Sequence, residues 1–124
     1  MTVQHSFSKI EKELLPAFRQ QIGSAESTED VKKFFVHTIQ DLLNKASEGE
    51  VKPRYEDIRL NHLMESDVEP RFVLHDNLVS NPQFASIWGE SDLPHIVGRF
   101  ATSACNRYKH LEKNPEKTEA KIRM

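Results

Sequence analysis

Six histidines are the side chains in this sequence best suited to binding a metal or transferring a proton near neutral pH. Zinc and iron sites in helical proteins usually show paired ligands, such as HExxH or two Glu-x-x-His motifs, and the sequence contains neither pattern. A metal site would have to combine residues far apart in the chain, for which His62, His75 and His95 are the candidates. Because isolated ligand types seldom converge, we expect no metal and no other cofactor.

Cys105 is the only cysteine, so the chain cannot form an internal disulfide, and a reducing cytoplasm is the expected location. A nucleophilic cysteine needs a neighbouring base, and His110 would lie about 140° away around a helix axis. The sequence also lacks the serine-elbow and glycine-rich phosphate motifs, and it has only four glycines. These observations favour a protein without catalytic activity and leave Cys105 either buried or at the wall of a pocket.

Polar and basic residues recur at steps of three or four residues through the last periodic segment. The spacing predicts one helix face made of His95, Arg99, Thr102, Asn106, Lys109 and Lys113. Such a face is most often only solvated. It can also bind an anion, such as a phosphate compound or an acidic protein surface. Its cations are too sparse to favour nucleic acid.

Charge is unevenly distributed along the chain, although the formal net charge is only −2. Residues 41–70 contain eight acidic and four basic residues, whereas residues 93–124 contain seven basic and three acidic residues. Opposite charges on two surfaces of one molecule favour and orient self-association. We therefore predict a homodimer in which the acidic middle of one copy meets the basic last helix of the other, or an equivalent contact with another protein.

Trp88 and Gly98 each allow more than one interpretation. Trp88 is the only tryptophan, and a side chain of this size anchors either a core or an interface. Gly98 lies within a helical pattern, where glycine costs about 1 kcal/mol relative to alanine, so a compensating benefit is expected. Close packing against another helix is the common benefit. The alternatives are room for a small ligand and a contact between subunits.

The hydrophobic periodicity predicts a mainly α fold, a compact bundle of four to five helices. Helices are expected at about residues 8–22, 27–49, 82–89 and 92–113. Residues 51–79 fit neither period throughout. They allow an extra helix, which their first half slightly favours, or a short β-hairpin. The expected core residues are Phe34, Phe35, Ile39, Leu42, Phe100 and Ala104.

Local signals refine the ends of the helices. Ser8 and Glu11 have the spacing of a reciprocal N-terminal cap, and Pro16 predicts a kink in the same helix. The last helix can be capped by Ser91 or by Asp92, since both side chains accept hydrogen bonds from free backbone N–H groups.

The length of 124 residues suits one domain. Residues 1–115 are expected to form it, followed by a polar tail at 116–124 that is frayed or disordered. No apolar run approaches the roughly 20 residues needed to cross a bilayer. The first residues also lack the basic start and apolar run of a secretory signal.

These features predict a small cytoplasmic protein-interaction or regulatory module without catalysis. In this interpretation the interaction or anion-binding face is formed by His95, Arg99, Asn106, Lys109 and Lys113. The alternative is a helical protein that binds a small ligand or a metal in a pocket near Trp88 and the last helix, with Cys105 close to that pocket.

Overall fold

A computed structural model describes residues 6–61 and 71–113 of the chain. Its secondary structure is mainly helical, as the periodicity predicts, with a two-stranded antiparallel sheet. The elements in chain order are α1 (Ser8–Gly23), α2 (Thr28–Ala46), a 3-10 turn (Tyr55–Asp57), β1 (Ile58–Leu60), β2 (Phe72–Leu74), α3 (Asp76–Val79), α4 (Pro82–Gly89) and α5 (Leu93–Lys113). Within the described residues, no helix has the length and apolarity needed to span a membrane.

Helix α2 is the centre of the core and packs against α1, α5 and β1. It begins where the Ser27 side chain accepts a hydrogen bond from the Asp30 N–H. Its apolar residues are then spaced by three and four positions, so they share one face that is removed from water. The predicted core residues Phe35, Ile39, Leu42, Phe100 and Ala104 are all buried. Phe34 is only half-buried, because it lies at the edge of the apolar face beneath the Lys33 ammonium group.

Helices α1 and α5 pack against each other as well as against α2. The rings of Phe18 and Phe100 meet edge to face, with their centroids 4.9 Å apart and their planes at 87°. Aromatic pairs prefer this arrangement because the positive edge of one ring meets the negative face of the other. The pair is therefore one of the contacts that hold α1 against α5.

The uncertain middle of the sequence forms the hairpin and not the helix that its first half slightly favours. The Asp57 carboxylate accepts a 2.9 Å hydrogen bond from the Arg54 N–H, which closes a single turn. The chain then becomes extended, and Ile58 and Leu60 are buried while Arg59 between them is exposed. This period of two buries both apolar side chains against α2, which a helix over the same residues would not do.

Helix α1 does not have the predicted reciprocal cap. Phe7 precedes the helix without a side-chain cap, and its N–H donates 2.8 Å to the carboxylate of Asp92, which precedes α5. Glu11, the other half of the predicted cap, pairs with Arg99 of α5. Partners distant in sequence have replaced the local ones. Pro16 lies inside α1, which continues to Gly23.

Helix α5 also binds the C-terminal end of α1. The Arg107 guanidinium donates two 3.2 Å hydrogen bonds to the carbonyls of Gly23 and Ala25. A cation at this place satisfies carbonyls that have no partner within the helix, and it complements the negative end of the helix dipole. At the start of α5, the Ser91 side chain accepts a hydrogen bond from the Leu93 N–H. Ser91 is one of the two residues predicted to cap this helix.

Candidate functional site

A groove of about 590 Å³ lies between α1, α5 and the start of β2. Such a volume falls within the range of small-ligand sites. The helices supply its two long walls, and the hairpin closes one side. Its described lining residues are Glu11, Leu15, Arg19, Arg71, Phe72, Pro94, His95, Gly98, Arg99, Thr102 and Ser103.

The lining is strongly cationic. Arg19 comes from α1, Arg71 immediately precedes β2, and Arg99 comes from α5. Against these three guanidinium groups the described lining residues include one carboxylate, that of Glu11. The formal charge of these described lining residues is therefore +2 with His95 neutral. Charges of one sign within a concave surface reinforce one another and attract counter-ions.

Arg99 and Glu11 form a two-pronged ion pair across the groove. The Arg99 Nε lies 2.7 Å from Glu11 Oε2, and its Nη2 lies 2.8 Å from Oε1. This hydrogen bonding raises the pKa of Arg99 above its ordinary value, so the guanidinium stays charged. The Arg99 side chain is 57% exposed, whereas that of Glu11 is 13% exposed. The outer surface of the guanidinium thus remains accessible to a second anion.

Apolar side chains and hydroxyl groups complete the groove. Leu15, Phe72 and Pro94 are partly buried lining residues that can contact an apolar part of a ligand. The Thr102 hydroxyl donates a 2.9 Å hydrogen bond to the Gly98 carbonyl. Ser103 is the other hydroxyl residue of the lining. A groove of this kind can bind an anion whose body is partly apolar.

Gly98 is not explained by close helix packing. A Cβ atom built on this residue would meet no atom within 4 Å, leaving aside its neighbours and the backbone of its own helix turn. Close packing, the common benefit of a helical glycine, is therefore absent here. Gly98 lines the groove, and the missing side chain leaves open space beside α5. This is the geometry expected if room for a ligand is the benefit.

Replacing Gly98 with alanine is expected to raise the free energy of unfolding by about 0.5–1 kcal/mol, since alanine is the better helix former and its methyl group meets open space. Urea denaturation followed by circular dichroism measures the change. A loss of stability in this variant would show that the position has a packing constraint.

The predicted polar face of α5 is exposed at His95, Arg99, Thr102, Asn106 and Lys109, but only part of it belongs to the groove. His95, Arg99 and Thr102 are exposed residues that line the groove. Asn106 and Lys109 are exposed further along α5 and are not among its lining residues. Lys113 is the last residue of the helix. The structure therefore divides the predicted face into a groove part and an open part.

Cys105 is buried and does not line the groove. Its thiol donates to the Asn61 carbonyl, with Sγ 3.5 Å from the oxygen. Burial raises the pKa of this thiol above its ordinary value, and the opposing effect of the nearby Arg71 is smaller. Because the thiolate is the reactive form, this cysteine is a poor nucleophile at neutral pH.

Native protein is therefore expected to react with an aromatic disulfide reagent at pH 8 at least about tenfold more slowly than the urea-unfolded chain, because burial blocks access and disfavours the thiolate. Absorbance of the released thiol measures both rates. Equal rates would contradict the buried position. Raising the pH above the ordinary thiol pKa should also lower stability, because the unfolded chain ionises there before the folded chain does.

Trp88 packs against two aromatic rings and does not line the groove itself. It stacks on Phe84 with a 5.1 Å centroid distance and meets Phe72 edge to face at 6.0 Å. Phe72 lines the groove, so a single side chain separates the tryptophan from it. Trp88 is thus placed to report on groove occupancy through its fluorescence.

Two of the three predicted metal ligands, His75 and His95, lie among the described residues. The His75 Nδ1 accepts a hydrogen bond from the Asn77 N–H at the start of α3, so this nitrogen has a capping role. His95 lines the groove, and His62 lies outside the described residues. Across residues 6–61 and 71–113, no three His, Cys, Asp or Glu side chains are grouped as a metal site would require.

Acidic residues of the middle region line a second cavity of about 420 Å³, between the end of α2 and α4. Its lining includes Glu48 and Glu50, and its described residues include no arginine or lysine. It shares no described lining residue with the cationic groove. Glu48 and Glu50 of the acidic region therefore line a different cavity from the one that Arg99 of the basic region lines.

Glu11, Arg19 and Arg71 are groove residues that sequence reasoning missed. Each lies outside the periodic face of α5, and the chain offers no local motif that connects them to it. Only the packing of α1 and the hairpin on α5 brings them together. No family model, no curated protein and no solved structure matches this chain.

Proposed function

We propose that this chain is a non-catalytic interaction module that binds an acidic segment of another protein in the groove between α1 and α5. The observation that carries the proposal is that Arg19 of α1, Arg71 just before β2 and Arg99 of α5 all line one groove. Their guanidinium groups present fixed forks of N–H donors that match the two oxygens of a carboxylate.

The pair between Arg99 and Glu11 supports the proposal, because it is a contact of the kind that a partner carboxylate would form with a groove arginine. Its two hydrogen bonds of 2.7 and 2.8 Å have the parallel geometry of a guanidinium–carboxylate contact. A partner glutamate would meet the same donor chemistry on Arg19, which is exposed at the rim. Leu15 and Phe72 would contact the apolar stems of its neighbours.

The absence of catalysis is also part of the proposal. Cys105 lies outside the groove lining, and burial raises the pKa of its thiol. Cys105 therefore does not supply a thiolate nucleophile to the groove. The described lining residues supply three guanidinium groups, one carboxylate that is paired with Arg99, the His95 imidazole, hydroxyl groups and apolar surface, and this set suits the binding of an anion.

A fluorescein-labelled peptide of six glutamates is a suitable probe, and fluorescence anisotropy measures its affinity. Arg19→Gln should weaken binding about five- to tenfold, because it removes one charged hydrogen-bonding group from the groove. Lys9→Gln is the matched control. It removes one exposed positive charge from the same helix outside the groove lining, and it should change affinity less than about twofold.

Equal losses in the two variants would contradict groove binding, because only the overall charge would then matter. An unmodified chain that shows no saturable binding of the peptide would contradict the proposal as a whole.

A second candidate function is self-association through opposite charges. It is favoured by the separate cavity that Glu48 and Glu50 line. The carboxylates of these two residues would contact the basic α5 of a second copy. A native mass spectrum at near-physiological ionic strength should then show a dimer, and Glu48→Gln combined with Glu50→Gln should shift it to monomer. Monomer at all protein concentrations would exclude this candidate. The same spectrum would reveal a metal or a co-purified ligand.

A further inference from the structure

We propose that the anionic group bound most tightly in the groove is a phosphate monoester, with the rest of its carrier lying across α5 at Gly98. This inference rests on the proposed groove function and specifies the chemistry of its ligand. Three independent features of the groove support it: the type of its cations, its charge, and the open space beside the glycine.

The cations of the groove are of a selected type. The chain contains more lysines than arginines, yet Arg19, Arg71 and Arg99 are arginines and no lysine is among the described lining residues. Lysine attracts an anion as a point charge, whereas arginine adds two parallel hydrogen bonds to a phosphate or a carboxylate. A site that binds a diffuse acidic surface does not require arginine in place of lysine. A site for a compact oxyanion benefits from it.

The charge of the lining matches phosphate better than a single carboxylate. Its three guanidinium groups and the Glu11 carboxylate give a formal excess of two positive charges. A phosphate monoester carries close to two negative charges at neutral pH and has three acceptor oxygens. A glutamate carries one charge and two oxygens. Hydroxyl donors at Thr102 and Ser103 can add hydrogen bonds to the extra oxygens.

The open space at Gly98 determines where the carrier lies. The residue costs helix stability and meets no atom that would exclude a methyl group, so no internal contact of the described structure compensates for it. Leu15, Phe72 and Pro94 line the same groove and offer apolar contacts. A phosphate group held by the arginines would therefore leave its carrier against Gly98 and these side chains.

The experiment compares four probes in competition with the labelled glutamate peptide. They are inorganic phosphate, phenyl phosphate, a six-residue peptide with one phosphoserine, and the same peptide with glutamate at that position. The phosphopeptide should bind at least about tenfold more tightly than its glutamate counterpart, which corresponds to one added charged hydrogen bond. It should also change the fluorescence of Trp88, which contacts the lining residue Phe72.

Two variants test the geometry. Arg19→Lys keeps the positive charge but removes the paired N–H donors of the guanidinium group. It should therefore reduce the preference for phosphate over glutamate by about threefold or more. Gly98→Leu adds a side chain where a Cβ atom meets no atom within 4 Å, and it should weaken phosphopeptide binding at least about tenfold. Far-UV circular dichroism confirms that both variants are folded.

The outcomes separate this inference from the proposed function. Equal affinity for the phosphopeptide and the glutamate peptide, with both bound in the groove, would overturn the phosphate preference and leave the interaction module in place. Failure of every probe to bind would overturn both. Phenyl phosphate as tight as the phosphopeptide would support a small organic phosphate as the source of the group. Inorganic phosphate as tight as either would overturn the placement of a carrier across Gly98.

Discussion

Replacing Phe35 with alanine should lower the free energy of unfolding by about 3–5 kcal/mol. The side chain is 0% exposed on α2, the helix that contacts α1, α5 and β1. Its removal loses the transfer free energy of a whole ring and leaves a cavity that surrounding helices cannot fill completely. Domains of this size have a total stability of about 5–15 kcal/mol, so the variant would be close to unfolding at physiological temperature. Urea denaturation followed by Trp88 fluorescence measures the loss.

Phe34→Ala is the matched control for this prediction. It removes the same ring from the next position of α2, where the side chain is only half-buried and lies beneath Lys33. The expected loss is less than about half of that for Phe35→Ala, because the ring keeps part of its contact with water in the folded state. Similar losses in the two variants would refute the central position assigned to Phe35.

Reversing the charge of Arg99 with Arg99→Glu should weaken binding of the labelled glutamate peptide by about a hundredfold. The change removes the guanidinium that two hydrogen bonds to Glu11 hold in place, and it puts a second carboxylate near Glu11. A hydrogen bond to a charged group contributes about 1.5–3 kcal/mol, and 1.4 kcal/mol corresponds to a factor of ten in affinity. Stability should fall by only about 1 kcal/mol or less, because the pair is largely exposed on its arginine side.

Lys109→Glu provides the control, since it makes the same charge change on the same helix outside the groove lining. Its effect should be less than about fivefold and should disappear in high salt, because screening at physiological ionic strength acts over about 8 Å. Loss of binding in both variants to the same extent would favour recognition by the whole basic face of α5. It would count against the groove.

The helices were largely predictable from sequence because their signals are local. Apolar spacing fixed α2 and α5 to within a few residues, and Asn81 followed by Pro82 marked the start of α4. The cap at Ser27 depends on residues three positions apart, so it was also readable. Each of these features depends on neighbours in the chain, and tertiary contacts did not override them.

The hairpin and the groove depend on contacts that the sequence does not display. Ile58 and Leu60 become strand residues because α2 covers both of them, whereas the pattern of their short segment slightly favoured a helix. Glu11 has the spacing of a cap for α1, but in the structure its carboxylate accepts two hydrogen bonds from Arg99 of α5. The periodic face of α5 therefore indicated one wall of the groove. No sequence pattern indicated that residues of α1 and of the hairpin would form the rest of it.

The pairing of α1 with α5 joins residues 88 positions apart, as the contact between Glu11 and Arg99 shows. At a synthesis rate of about 5–20 residues per second, Arg99 follows Glu11 after about 4–18 s. During that interval Phe100 has not been synthesised, so Phe18 lacks the ring that it contacts in the folded chain. The groove comes into existence only when the late-made helix docks, so a partner that binds there selects finished molecules over nascent ones.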